Sequence, residues 1–195
     1  MNAADYDAVV VDGEIYCLDC FEGDVEAEYV SPVFVDEEWQ FPGPCCSGCG
    51  KRLDYMDLII DRQSLMASYP VLKGYVECAV WAETFENEDG DTVPLDSEYG
   101  PEDLTDEAVK SAWERTESFL SELRKLDETV LERIDHRGLE GVGHDLWLTQ
   151  RGHGTGFWDR GYAPADVATF KQAIKNTTSH ETIYPTGSMK QLEFD

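Results

Sequence analysis

The sequence predicts an α+β fold in two parts. A small β module comes first, followed by a larger domain in which an antiparallel sheet packs with one long and one short helix. Three observations carry this expectation. Two Cys-x2-Cys pairs fall within the first fifty residues, next to short apolar stretches suited to strands. Apolar residues recur at helical spacing across one long segment, Leu104 to His136. Elsewhere, period-two alternation and Gly/Pro turn signals mark hairpins. The chain of 195 residues is 42% hydrophobic, with five Trp, nine Tyr and eight Phe, which is enough to build a core and argues against global disorder. The expected boundaries are 1–60 for the module and 74–195 for the domain.

In chain order, Ala8 to Leu18 predicts a hairpin, because Asp12-Gly13 separates two apolar runs and suits a two-residue turn. Val30 to Val35 predicts a strand, with Pro32 placing it at a sheet edge. Residues 51–73 form a joining stretch, in which Tyr55 to Ile60 is apolar enough to pack and Asp61 to Pro70 reads as a turn of helix and a loop. In Gly74 to Glu83, Val76, Cys78, Val80 and Ala82 alternate with Tyr75, Glu77 and Trp81, which predicts a strand. Glu86 to Pro94 follows as an acidic loop or hairpin tip. It does not have EF-hand spacing, since Phe85 would fall at the first ligand position.

The long helix starts at Thr105, a good N-cap, with Asp106 and Glu107 suited to its positive end. Its stripe runs through Val109, Trp113, Thr116, Leu120 and Leu123, continues to Val130 and Ile134 across a break at Lys125–Asp127, and stops at Gly138. Asp145 to Asp159 reads as a hairpin. Pro164 to Asn176 reads as the short helix, and His180–Tyr184 with Ser188–Phe194 as a last hairpin.

The cysteines are the most specific signal. Cys17, Cys20, Cys46 and Cys49 form two C-x2-C pairs. Each such turn aims two thiolates at one point, and two turns supply the tetrahedral sulfur set that Zn2+ prefers. The module is therefore expected to be zinc-ribbon-like, with a structural zinc, because four protein ligands leave no open position. Cys45 offers an alternative to Cys46 through C-x3-C spacing. Cys78 is expected in the core. Iron in the same geometry and disulfides in place of a metal are the competing readings.

Charge sets the second constraint. There are 41 acids against 15 bases, for a net charge of -26 and a pI near 4.2. Residues 1–50 hold twelve acids and no Lys or Arg, and residues 74–109 repeat that pattern. Such a surface repels phosphate backbones and anionic membranes, so direct nucleic-acid binding is not expected. It suits a high-salt cytoplasm, where screening makes self-repulsion cheap. No apolar run approaches the ~20 residues of a membrane span. The first residues lack the basic and apolar regions of a signal or transit peptide, so a cytoplasmic location is expected.

The segment Gly143-His144-Asp145-Leu-Trp147-Leu-Thr-Gln-Arg-Gly-His153-Gly-Thr-Gly-Phe-Trp158-Asp159-Arg-Gly161 is the most distinctive in the chain. Read as a hairpin with Gln150 to His153 as its loop, it sets Trp147 opposite Gly156 and His144 opposite Asp159. That register makes His144, Asp145, His153 and Asp159 candidates for acid–base work or metal binding. The competing reading is that the tryptophans pack the sheet and the polar groups cap it.

The same segment resembles a motif of small uncharacterised proteins of tailed viruses of bacteria and archaea. Glu77-Cys-Ala-Val-Trp81 and Tyr99-Gly-Pro-Glu-Asp-Leu104 fit that pattern, so the resemblance covers about residues 74–195. Residues 1–60 are additional to it and resemble a zinc-ribbon appendage. Together with the acidity, the resemblance implies a virus of a salt-loving archaeal host. Three functions follow as expectations: a non-enzymatic accessory protein that contacts a host or viral protein, an acidic DNA mimic that blocks a defence nuclease, and a small hydrolase using a His–Asp pair.

Overall fold

A computed structural model describes residues 8–23, 30–33, 39–53, 58–134, 138–177, 182–186 and 190–194. It bears out the α+β class. The chain divides into two compact units, residues 1–61 and 62–195. Several expected features lie outside the described residues: Phe34 and Val35 of the third strand, Tyr55 to Asp57, the helix end at His136 and Arg137, and His180, Ser188 and Met189 of the last hairpin.

In the first unit, β1 (Ala8–Val11) and β2 (Glu14–Cys17) pair antiparallel, Ala8 opposite Cys17 and Val11 opposite Glu14. Asp12 (φ 52°) and Gly13 (φ 84°) both adopt the left-handed region, as a two-residue turn matched to strand twist requires. β3 (Val30–Val33) lies on the other side of β1, at the sheet edge where Pro32 costs no ladder bond. β4 (Trp39–Gln40) and β5 (Leu58–Ile59) make a short parallel pair. The buried cluster comprises Ala8, Cys17, Val33, Cys46 and Leu53, with Val10, Ile15, Tyr16, Cys20 and Trp39 packed around it.

The second unit is dominated by helices. The turn of helix expected within Asp61 to Pro70 is α1 (Arg62–Ser68), the rest of the joining stretch opens α2 (Pro70–Ala82), and β6 (Thr84–Glu86) and β7 (Thr92–Pro94) follow as an acidic hairpin. Asn87 Oδ1 closes its tip by accepting the N–H groups of Asp89 (3.1 Å) and Asp91 (2.8 Å). Next come α3 (Asp106–Leu126), α4 (Val130–Arg133), α5 (Gly138–Arg151) and α6 (Pro164–Thr177), and the ribbon of β8 (Ile183–Thr186) and β9 (Gln191–Phe194) closes the chain.

Thr105 caps α3 as expected, its hydroxyl accepting the Ala108 N–H at 3.1 Å. The helix breaks at Asp127, and the chain resumes helically at Val130. The ribbon docks at the start of α3, where the Thr105 N–H donates to Leu192 O at 3.0 Å.

Two segments correct the sequence reading. Gly74 to Glu83, expected as a strand, is the body of α2. Eight of the thirteen α2 residues are buried, so there is no broad polar face to announce a helical period. The helical signal survives only in Lys73, Glu77 and Trp81, spaced four apart, with Glu77 and Trp81 exposed. Asp145 to Asp159, expected as a hairpin, is the second half of α5, a glycine-rich turn and one 3-10 turn at Phe157–Asp159. The larger sheet these strands would have formed is replaced by helix packing, and among the described residues the β-strands of this unit are those of the two ribbons.

The glycines that made both segments look unhelical explain the packing. A Cβ on Gly74 would overlap the carbonyl oxygen of Glu140, and one on Gly143 would overlap that of Val71. Backbone meets backbone at both points, so α2 and α5 approach more closely than side chains would permit. Around this contact the core is aromatic. Tyr75 meets Trp147 edge-on at 5.2 Å, and Phe157 stacks on Phe170 at 4.2 Å and on Phe119 at 6.0 Å.

Gly143→Ala tests this contact with an unambiguous sign. Helix propensity alone would favour Ala by about 1 kcal/mol. Overlap with the Val71 carbonyl is expected to reverse that and cost about 2 kcal/mol or more in urea unfolding. A stabilised variant would show that the two backbones are not in contact.

Candidate metal centre

The first unit brings the two C-x2-C turns together. One Sγ from each of Cys17, Cys20, Cys46 and Cys49 lies within 4.8 Å of all the others. The first turn leaves the end of β2, where the Cys17 carbonyl accepts the N–H groups of Cys20 (3.0 Å) and Phe21 (3.1 Å). The second is closed by the Gly50 N–H donating to Cys46 O at 2.8 Å. Gly50 takes φ 71°, which a residue with a Cβ adopts at a cost. A bond from Ser47 N to Ile15 O (2.7 Å) fastens the second turn to β2. Gly48 leaves room where a Cβ would press to 3.0 Å from Cys20 Cβ and 3.4 Å from its sulfur.

These residues fit a tetrahedral metal. Cys17 and Cys49 sulfurs are 3.8 Å apart. The edge of a sulfur tetrahedron around Zn2+, with bonds near 2.3 Å, is about 3.8 Å. A disulfide would need roughly half that distance, and all six cysteines are free. Backbone N–H groups point at sulfur as well, with the Cys17 N–H donating to Cys46 Sγ at 3.3 Å. That bond, helped by the N–H groups of Cys49 and Gly48, lowers the Cys46 thiol to about 6. Sharing a hydrogen bond with Cys49 sends Cys20 the other way, to about 12, and burial raises Cys17. Without a metal the cluster therefore favours a thiolate at Cys46 beside protonated neighbours. A cation is what allows all four sulfurs to ionise together.

Cys45, the alternative to Cys46, is exposed, sits in a backbone bridge to Arg52, and lies outside the four-sulfur set. Cys78 is buried as expected, though on a helix, and burial pushes its thiol up to about 12.

The remaining candidates lie in the second unit, and the hairpin register that set His144 opposite Asp159 does not exist there. His144 is on α5, its ring 5.6 Å from that of Trp81. Asp145, its sequence neighbour, is fully buried, accepts the Tyr162 hydroxyl at 3.0 Å and pairs with Arg160 Nε at 3.2 Å. Asp159 is engaged locally by the Thr155 hydroxyl (2.5 Å) and the Gly156 N–H (2.9 Å), which hold the 3-10 turn. His153 Nε2 lies 2.7 Å from Glu83 Oε1, which Arg151 Nε also reaches at 3.1 Å. Burial opposes ionisation of Glu83, but the bonds from Arg151 and His153 outweigh it and hold the carboxyl below its usual range.

Sequence reasoning missed Glu83, Arg160 and Tyr162 as partners. The separation of Tyr162 from Asp145 by seventeen residues becomes meaningful only once Arg160 and Tyr162 are seen to turn back onto α5.

Loading of the cysteine site should be linked to pH. The metal binds thiolates, and the thiols of Cys17 and Cys20 are protonated at neutral pH, so binding releases at least two protons. Zn2+ affinity is expected to rise by at least about a hundredfold per pH unit between about pH 7 and 8. It should fall more steeply below about 6, where Cys46 also takes a proton. Competition against a chromophoric chelator measures this, and an affinity independent of pH would contradict thiolate ligation.

No protein-family model, characterised protein or solved structure matches the sequence.

Proposed function

We propose that the cysteine cluster is a structural zinc site, and that the chain is a non-enzymatic viral accessory protein acting through contacts with a host or viral protein in a high-salt cytoplasm. The observation that carries the metal assignment is the convergence of four sulfurs within 4.8 Å. An all-sulfur set suits zinc and leaves it no position for a substrate or water. The acidity around the site supports a protein partner over a nucleic acid, since residues 1–50 contain no Lys or Arg. The viral setting rests alone on the resemblance read from the Gly143–Gly161 motif, and the net charge of -26 supports the high-salt one.

The hydrolase alternative gains no support from the site geometry. Asp145 has no exposed surface to offer a substrate and is already bound to Tyr162 and Arg160. Asp159 is committed to the turn that contains it.

Two experiments test the proposal. Native mass spectrometry of the purified chain is expected to find one zinc per chain, lost in Cys46→Ser and retained in Cys45→Ser. Retention of zinc in Cys46→Ser would overturn the ligand assignment. Capture from infected cells at about 2 M KCl, where long-range charge attraction is screened out, is expected to retain a specific protein partner. Recovery of the chain alone would contradict the contact role.

A further inference from the structure

We infer that the face of α2 and α5 around Trp81 is a binding site for a small aromatic oxyanion, meaning a planar ring that carries a phosphate or carboxylate. This site lies wholly in the second unit and is independent of the metal centre. A depression of about 430 Å3 opens there, lined in part by Glu77, Trp81, Glu140, His144 and Arg160. That volume is within the usual range for small-ligand sites.

Arg160 supplies the anion-binding element. Its guanidinium has an ion-pair partner behind it: Nε is buried without a hydrogen bond but lies 3.2 Å from the carboxylate of Asp145, which is 0% exposed and held in turn by Tyr162. The next carboxylate, Asp159, also approaches at Nε, at 3.6 Å. Among the described residues neither Nη group of Arg160 makes a hydrogen bond, and the side chain stays 30% exposed at the depression. An arginine whose buried Nε edge faces a carboxylate leaves its two Nη groups as a fork, which matches the paired oxygens of a phosphate or carboxylate. The buried carboxylate behind it sets the fork's position without filling it.

Trp81 supplies the ring-binding element. It is 59% exposed, the largest exposure of any large apolar residue described, on a helix that otherwise buries most of its surface. The aromatic core around Trp147 and Phe157 does not use this indole, whose ring contact is with His144 of α5. His144 lies beside it at 5.6 Å and adds a polar ring at the same edge. The two acids of the depression are partly neutralised, since Lys73 Nζ lies 2.9 Å from Glu140 and 4.0 Å from Glu77. In a chain of net charge -26, this places an available guanidinium next to compensated carboxylates and an exposed flat ring. The proposal also accounts for the Asp-Arg-Gly end of the distinctive motif, which packing alone does not require to reach the surface.

The test uses the full zinc-loaded chain and follows the Trp81 indole N–H resonance, assigned by its loss in Trp81→Phe. The probes are AMP and indole-3-acetate, each compared in the same KCl buffer with its uncharged counterpart, adenosine or indole-3-acetamide, and with tryptamine as a cation. At least one anionic probe is expected to shift the resonance with saturation, at least about tenfold more tightly than its neutral counterpart. Which of the two wins distinguishes a phosphate ligand from a carboxylate ligand.

Arg160→Lys keeps a charge for Asp145 but loses the fork, and should weaken binding about tenfold or more. Trp81→Ala, at a position 59% exposed, has no indole signal of its own and is followed by isothermal titration calorimetry; it should bind the ring-bearing anion more weakly and inorganic phosphate as the parent chain does. No saturable shift with either anion, equal binding of the neutral counterparts, or tighter binding of tryptamine would each overturn the proposal. The last result would assign the depression to Glu77 and Glu140 instead.

Discussion

The meeting of four thiols at one point is the constraint on which the N-terminal unit depends. Its described core is small, and two of the five residues in the buried cluster, Cys17 and Cys46, are metal-ligand candidates. Apolar burial on that scale does not offset the ordering entropy of some sixty residues, so such segments rely on a metal or a crosslink. The hydrogen bonds of this unit lead back to the same point. β2 ends in the first cysteine turn, Ser47 ties the second turn to β2, and the N–H of Cys17 reaches the sulfur of Cys46 across twenty-nine residues. Without a cation these contacts gather one thiolate, at Cys46, and protonated thiols that gain no metal–sulfur bond from being close. With a cation, the same contacts hold a tetrahedron.

The second unit is organised differently, around the close approach of α2 and α5. Gly74 and Gly143 remove the side chains that would hold the helices apart. Tyr75 and Trp147 then meet edge-on beside the contact. The chain leaves α5 through a glycine-rich turn that Asp159 and Thr155 hold in shape, and it returns so that Arg160 and Tyr162 meet Asp145 inside. A buried ion pair of this kind contributes little net stability, because desolvating both charges offsets their attraction, but breaking it is costly. Its effect is positional. It fixes where the Phe157 ring enters the aromatic core and where the Arg160 guanidinium reaches the surface.

Legibility in the sequence followed the strength of local signals. The Cys-x2-Cys pairs, the Asp12-Gly13 turn, the edge Pro32 and the Thr105 cap each depend on chemistry within a few residues, and each has the expected structure. The break after Leu126 was visible because the apolar stripe pauses there. The α2 and α5 segments misled for one shared reason. A helix buried on most sides looks like a buried strand, and glycines that serve interhelix contact look like turn or bulge residues. Correct assignment of α2 needed the outward spacing of Lys73, Glu77 and Trp81 to outweigh the alternation of Val76, Cys78 and Val80. In the candidate site, ligand identity was readable because the pairs are close in sequence. The partners of Asp145 and His153 were not, because the fold brings them from distant or reversed segments.

The central claim is that four cysteine sulfurs, and nothing else, surround one zinc. X-ray absorption at the zinc edge of the purified chain tests it most directly. The account predicts a single shell of four sulfur atoms at about 2.3 Å, with no nitrogen or oxygen contribution. A mixed shell with light atoms near 2.0–2.1 Å, or a sulfur count well below four, would contradict it.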